Sequence, residues 1–257
     1  MKTRKKASKF KLKPLGLLAI FLSFFTWFII SDDGLKLISP VKFPPPTHVL
    51  NAIEFLNVKL LTDSISTIAR VLFGLIVGTI LGSIIGAVVV FSKKIGEFLH
   101  PLIESARPVP VIAMIPFFLM WFGIEEPGKL LLVTIGVFML IVVNVSESIR
   151  NIPKIYIQAA QTLGASKYTI RRKILLPAVV PNMIGPLRVA IALTFTLVVA
   201  AEFMGAQSGI GYRILEARRL FNPQVIFLGI IQLGILASIF DFALRKFMAH
   251  LTRWSER

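Results

Sequence analysis

Gly123-Ile-Glu-Glu-Pro-Gly128-Lys129 has the residue order of a nucleotide-binding loop, in which backbone N–H groups and a lysine receive phosphate oxygens. Leu130 stands where that chemistry needs a magnesium-binding hydroxyl, and an apolar run precedes the stretch instead of a strand. ATP binding is therefore rejected here, and the stretch is read as a tight outer turn. Gly205, Gly209 and Gly211 also lack a strand–loop–helix context and are read as a flexible outer turn. His48, His100 and His250 are scattered, and the absence of cysteine excludes thiolate metal sites and disulfides. No acid–base or metal cluster emerges, so an enzyme is not expected and no cofactor is assigned to this chain. Arg188 and Glu202 lie inside apolar runs, where charged groups face a bundle interior or a cavity. They share one helix face within about 40°. About 21 Å of helix axis separates them, too far for direct pairing in a straight helix. Structural pairing and lining of a solute path both stay open; Arg188 suits an anion, whereas Glu202 opposes one.

The elements that must position these residues are membrane spans. Of 257 residues 55% are hydrophobic, too many for a usual soluble domain. Six apolar runs stand out, at residues 15–30, 65–91, 101–122, 130–146, 178–203 and 225–244. The first follows a basic tail in the manner of a signal peptide, but Ser31-Asp32-Asp33 is no cleavage site, so a retained helix is expected. Residues 31–63 are mixed, with an extended Phe43-Pro44-Pro45-Pro46 and a short interfacial helix that Thr47 could cap. Gly74, Gly78, Gly82 and Gly86 repeat every four residues and are read as a close helix–helix contact. Lys93 and Lys94 mark a turn. Pro108, Pro110 and Pro116 break the third span, which is tolerable only where protein or a wet cavity satisfies the freed backbone groups.

Between the fourth and fifth runs lies a polar, basic segment. Asn151 and Pro153 offer a cap and an early-turn proline for a helix. Tyr156, Ala159, Ala160 and Leu163 follow the spacing of one apolar stripe, Gly164 suits a left-handed helix end, and Ser166 caps a second helix bearing Lys167, Arg171, Arg172 and Lys173. The segment predicts a helical hairpin that presents a narrow ridge at a membrane surface.

Gln158-Ala-Ala with Gly164 and, nine residues on, Ile174-Leu175-Leu176-Pro177 resembles the Glu-Ala-Ala loop of ABC importer permeases, with Gln158 in place of the glutamate. The resemblance runs from about Leu60 to Trp254. Arg107-Pro-Val-Pro110, Ile115-Pro-Phe, Trp121-Phe-Gly-Ile124, Ala201-Glu-Phe, Ser208-Gly-Ile-Gly-Tyr212 and Asp241 are similar to the nitrate/sulfonate/taurine-type branch. It implies an all-α membrane protein, a type I importer permease fold with six transmembrane helices and a cytosolic coupling helix. Gln158, Ala159, Ala160, Gly164, Ile174, Leu176 and Pro177 would dock on a cytosolic ATPase subunit, which itself binds the ATP. Arg107, Pro108, Pro110, Arg188 and Glu202 are the candidates for lining the pathway. The implied partners are the ATPase, an extracytoplasmic solute-binding protein, a second permease copy and the bilayer. The implied solute is a sulfonate, taurine, nitrate or related small molecule, or alternatively a thiamine-precursor-like heterocycle. A membrane scaffold or receptor is the competing class, and it would not require the docking spacing.

The net charge of +16 would suggest nucleic acid in a soluble protein, but the basic residues sit in short loops and tails. With the N-terminus inside, 20 of the 29 lysines and arginines fall on the inner side, so no nucleic acid is expected. Both termini and the hairpin are assigned to the cytosol of a bacterial cell, with the chain in its cytoplasmic membrane. The domains expected are 1–59 (basic tail, first helix and outer segment), 60–244 (permease core) and 245–257 (basic tail).

Overall fold

A computed structural model describes residues 14–31, 35 and 37–254; the expected basic tail of residues 1–13 and the last three residues lie outside them. The described residues form helices only. Helix α1, Pro14–Ile30, is apolar, and Ser23 and Thr26 return their hydroxyl protons to carbonyls one turn back, which spares lipid an unsatisfied donor. Pro46 opens α2, Pro46–Leu56, as the short helix expected there, although no side chain caps it. Trp27 of α1 donates to the Pro44 carbonyl at 3.0 Å and packs with Phe43 against Phe227.

Two long helices form the spine. Helix α3 runs Val58–Phe91 and α6 runs Glu126–Arg150. The four-residue glycine repeat opens a groove along α3 into which α6 fits. A Cβ at Gly78 would stand 2.7 Å from Val137, and at Gly82 2.8 Å from Ile141, so the backbones approach because side chains are missing. Ser146 seals the far end by donating to the Gly86 carbonyl at 3.0 Å.

The third span departs from its expected form. Helix α4, Lys93–Ala106, begins at the two lysines that were read as a turn, with Ser92 capping Ile95. After a one-turn 3-10 segment, Val111–Met114, comes α5, Ile115–Phe122, and the two halves meet at 87°. Pro108 and Pro110 lack the N–H groups that would continue the helix beyond Arg107, which is still helical, and the chain is extended at Pro110, so the bend falls at residues 107–110. Pro116 sits in the first turn of α5, where it breaks nothing.

Helix α7, Lys154–Thr162, and α8, Lys167–Ile170, make the hairpin; a wide π turn, Arg171–Leu175, continues into α9, Leu176–Asn182. The fifth apolar run is thereby split: Pro181 and Pro186 bracket a break at Met183 before α10, Ile184–Phe203. Helix α11, Ile210–Arg219, crosses to α12, Pro223–Leu251. Among the described residues α3, α6, α10 and α12 are long and apolar enough to cross a membrane, α4 with α5 passes only as a bent pair, and α1 is shorter.

Candidate functional site

The hairpin is built around its turn. Asn151 ends α6 by donating its N–H to Glu147 and does not cap α7; Pro153 precedes that helix instead. Gly164 takes φ +76°, its N–H reaches the Gln161 carbonyl, and the Ala165 N–H reaches Ala160 at 2.9 Å. That pair of bonds is the Schellman closure of a helix, so the glycine expected to turn the chain does so. Ser166 caps α8 by accepting from Thr169 at 3.2 Å. The expected apolar stripe divides. Tyr156, Ala159 and Leu163 face outward, Leu163 with 86% of its surface exposed. Ala160 is 8% exposed and packs inward with Ile152, Ile170, Leu175 and Val179. Adjacent helical positions lie about 100° apart, so Ala160 can pack into the core cluster while Ala159 stays on the outer crest. Gln158 is exposed, Ile174 half-buried, Leu176 exposed and Pro177 in the first turn of α9. Arg171 was expected only as part of a basic face. It donates to the Phe91 carbonyl at 2.6 Å and lies over the Phe91 ring, fastening the hairpin to the end of α3.

Arg107 and Pro110 line a cleft of about 650 Å³ between the bend, α6 and α10, together with Met114, Met139, Asn144 and Leu193. Pro108 forms the bend but is not part of that wall. Arg107 stands 3.5 Å from Glu147 of α6. Arg188 and Glu202 are elsewhere and apart from one another. Arg188 pairs with Asp241 of α12 at 2.6 Å, and Arg245 holds the other oxygen of the same carboxylate at 3.1 Å.

Glu202 is 0% exposed and belongs to a buried polar clamp at the end opposite the hairpin. Its carboxylate accepts from Thr67 and Arg70 of α3, both at 2.8 Å, and from the Gly211 N–H at 2.6 Å. Arg70 also grips Glu126 of α6 with two nitrogens and the Ser208 carbonyl with a third bond. Asp63 accepts from the Gly209 N–H and from Arg213, while the Ile210 N–H donates to Thr67. The first N–H groups of α11 are thus capped by side chains of α3 and α10. This corrects the flexible turn expected at Gly205–Gly211. Gly209, at φ +123°, is required because Glu202 and Arg70 occupy the space a Cβ would need.

The nucleotide-loop look-alike is consumed by the same clamp. Lys129 is buried and donates to the Ile124 carbonyl at 2.6 Å and to Glu126 at 3.2 Å, so its ammonium is turned into the protein and paired there. Asp63, Thr67, Arg70 and Glu126 were missed from sequence. The signal was present: Asp63, Thr67 and Arg70 fall at i, i+4 and i+7, a polar stripe on an otherwise apolar helix.

Residues 78–257 match a family described as binding-protein-dependent transport system inner membrane component. The taurine transport system permease protein TauC of Escherichia coli K12 is 29% identical over 247 residues, covering 93% of this chain and 88% of that protein. SsuC of Bacillus subtilis 168, described as an aliphatic sulfonates transport permease, is 30% identical over 245 residues, covering 95% and 87%. A structure of the MetNI methionine ABC transporter in an inward facing conformation superposes with TM-score 0.64 at 23% identity, over 77% of this chain and 99% of that one, and shows the fold. The chain belongs to the binding-protein-dependent transport system inner membrane components, and it is an ABC importer permease whose sequence similarities lie in the taurine and sulfonate branch.

Proposed function

We propose that this chain is the six-span permease of an ATP-driven importer for a small sulfonate-like solute, coupled through its α7–α8 hairpin to a cytosolic ATPase. The spans are α1, α3, the bent pair α4–α5, α6, α10 and α12, with both termini and the hairpin in the cytosol. The basic residues concentrated on that side support the orientation. A second copy completes the translocation unit, and an extracytoplasmic binding protein delivers the solute. The cleft at the bend, with Arg107 at its edge, is the part of the solute path this chain supplies.

One observation carries the coupling: the outer crest Tyr156–Ala159–Leu163 is apolar and uncovered, on a polar, basic hairpin unsuited to lipid. Apolar side chains held out by a rigid Schellman turn suit the groove of a partner protein. The test is purification of the permease from its own membranes, scoring co-purified ATPase activity and solute uptake at matched permease levels. Leu163→Asp should abolish both while the permease still inserts. Full ATPase recovery with that variant would remove the hairpin from the coupling role.

A further inference from the structure

Arg188, Asp241 and Arg245 join α10 to α12 at the hairpin end of the molecule, and their charges do not cancel. Arg188 gives Asp241 its Nε and Nη2 hydrogens at 2.6 and 3.3 Å, and Arg245 approaches the second carboxylate oxygen at 3.1 Å. Two guanidinium groups on one carboxylate leave this trio at +1. Asp241 is the only acid of α9 and α12, and Glu202, the only acid of α10, sits in the clamp at the far end. Lys246, exposed and next to Arg245, raises the local charge to +2. Arg188 is 48% and Arg245 41% exposed, so this charge lies on the surface and not inside the bundle. Both stand within about two turns of a helix end, near enough for long cationic side chains to reach the headgroup layer. The surface leading to them has the dimensions of lipid. Ile235, Ile239 and Phe242, all exposed, precede Lys246 at i, i+4, i+7 and i+11, one stripe of α12. That stripe is about 16 Å long, close to one leaflet of the ~30 Å hydrocarbon core. On the α10 side Val189, beside Arg188, is exposed as well.

We infer that this face of α10 and α12 binds an anionic phospholipid from the leaflet on the hairpin side. Its phosphate accepts from Arg188, Arg245 and Lys246, and an acyl chain runs along Phe242, Ile239 and Ile235 toward the bilayer midplane. Basic pockets between helices on the cytoplasmic side are where acidic headgroups settle, and under the orientation proposed above this leaflet is the cytosolic one. A zwitterionic lipid offers the same chains, but its own ammonium cancels the attraction of its phosphate to the three cations. A second copy of the chain fits less well. Joining this face to itself by a two-fold axis would set its +2 charge against an equal one.

The chain contains no cysteine, so Ala243→Cys, exposed beside the stripe, can carry a single fluorophore. The permease, purified with its co-purifying ATPase, is placed in phosphatidylcholine nanodiscs. Phosphatidylglycerol or phosphatidylcholine bearing an acyl-chain nitroxide is then added as quencher. Each net basic charge near a membrane surface favours the anionic lipid about fivefold, so phosphatidylglycerol should quench at on the order of twentyfold lower mole fraction. Lys246→Gln should cut that ratio to about fivefold. Arg245→Gln combined with Lys246→Gln leaves the Arg188–Asp241 pair in place and should bring the ratio to about one. A fluorophore at Leu81→Cys, exposed on α3, should show no preference in the otherwise unaltered chain. Both faces of a nanodisc are open, so the ratio does not depend on the orientation assigned to the hairpin. Equal quenching by the two lipids at Ala243→Cys, or a preference that survives the double substitution, overturns the site. Displacement of the nitroxide lipid by inorganic phosphate would assign the cations to a soluble anion. An Ala243→Cys fluorophore that neither lipid reaches would assign the face to a second copy. Either result also overturns the lipid site.

Discussion

The two ends of α6 are built on opposite terms. At its start, the exposed Glu126 and the buried Lys129 join a clamp whose other charged groups, Asp63, Arg70 and Glu202, are buried and hydrogen-bonded across α3, α10 and α11. At its finish, the hairpin leaves apolar side chains in the open. A buried, interlocked polar network is costly to disturb, because removing one partner strands the others without water. An exposed apolar crest costs this chain nothing to alter but removes whatever covers it. One end is therefore built to keep four helices, α3, α6, α10 and α11, in register, and the other carries the crest proposed to meet a separate protein. The glycine seam packs α3 closely against α6 over the length between the two ends.

The largest effect expected from this contrast is at the clamp. Glu202→Ala takes the acceptor from Thr67, the Gly211 N–H and Arg70 in a dry site, at about 1–3 kcal/mol for each stranded donor, although Arg70 keeps Glu126. Thermal unfolding in detergent should show a large fall in Tm together with reduced membrane levels. A variant as stable as the parent would mean that the clamp holds nothing.

Overpacking the seam is the next test. Gly82→Val places a branched side chain where even a Cβ would stand 2.8 Å from Ile141, with the Phe138 carbonyl also close. Misfit of this kind costs about 1–3 kcal/mol. Because the seam joins the two ends, the variant should lower stability and also weaken the response of uptake to the ATPase. Gly234→Val on α12, where an added Cβ meets nothing within 4 Å, is the matched control and should leave both unchanged. Equal behaviour of the pair would break the account of the seam.

Much of this was legible in the chain. Apolar runs located α3, α6, α10 and α12, the helices long enough to cross a membrane, and the i, i+4 glycines announced the seam, because both depend on local spacing alone. The Schellman turn at Gly164 and the cap at Ser166 were readable for the same reason. The clamp was not: Glu202 meets Arg70 from 132 residues away, and nothing local in Ala201-Glu-Phe states that partner. The bend was half-legible, since Pro108 and Pro110 predicted a break without its angle. The division of Ala159 from Ala160 depended on which side of α7 faces the cluster of Ile170 and Leu175, a fact fixed by tertiary packing.

That division gives a sharper experiment at the hairpin. Ala160→Trp drives an indole into the protein's own core and should destabilise the hairpin by about 1–3 kcal/mol. Ala159→Trp adds the same bulk on the outer face, where the fold has room. Both variants should lose the ATPase, but only Ala160→Trp should also increase proteolysis within residues 151–177. If Ala159→Trp proved equally protease-sensitive, the outward face assigned to it would be wrong.

The smallest effect belongs to Gln158, where the resembling family has glutamate. Its side chain is exposed, and its backbone carbonyl serves Thr162 whatever the side chain is. Gln158→Ala should therefore change stability by no more than about 0.5 kcal/mol. At the docking surface it removes at most one neutral hydrogen bond, worth about 0.5–1.5 kcal/mol. Uptake should fall by less than about tenfold, the equivalent of that bond. Gln158→Glu provides the discriminating variant. If the partner groove presents a cation, the new carboxylate should tighten ATPase recovery, and the gain should shrink as salt rises from low to physiological strength. If the groove is neutral at this point, Gln158→Glu should be no better than the parent at any ionic strength. An ATPase loss from Gln158→Ala as severe as that from Leu163→Asp would place the recognition in this polar side chain and not in the apolar crest beside it.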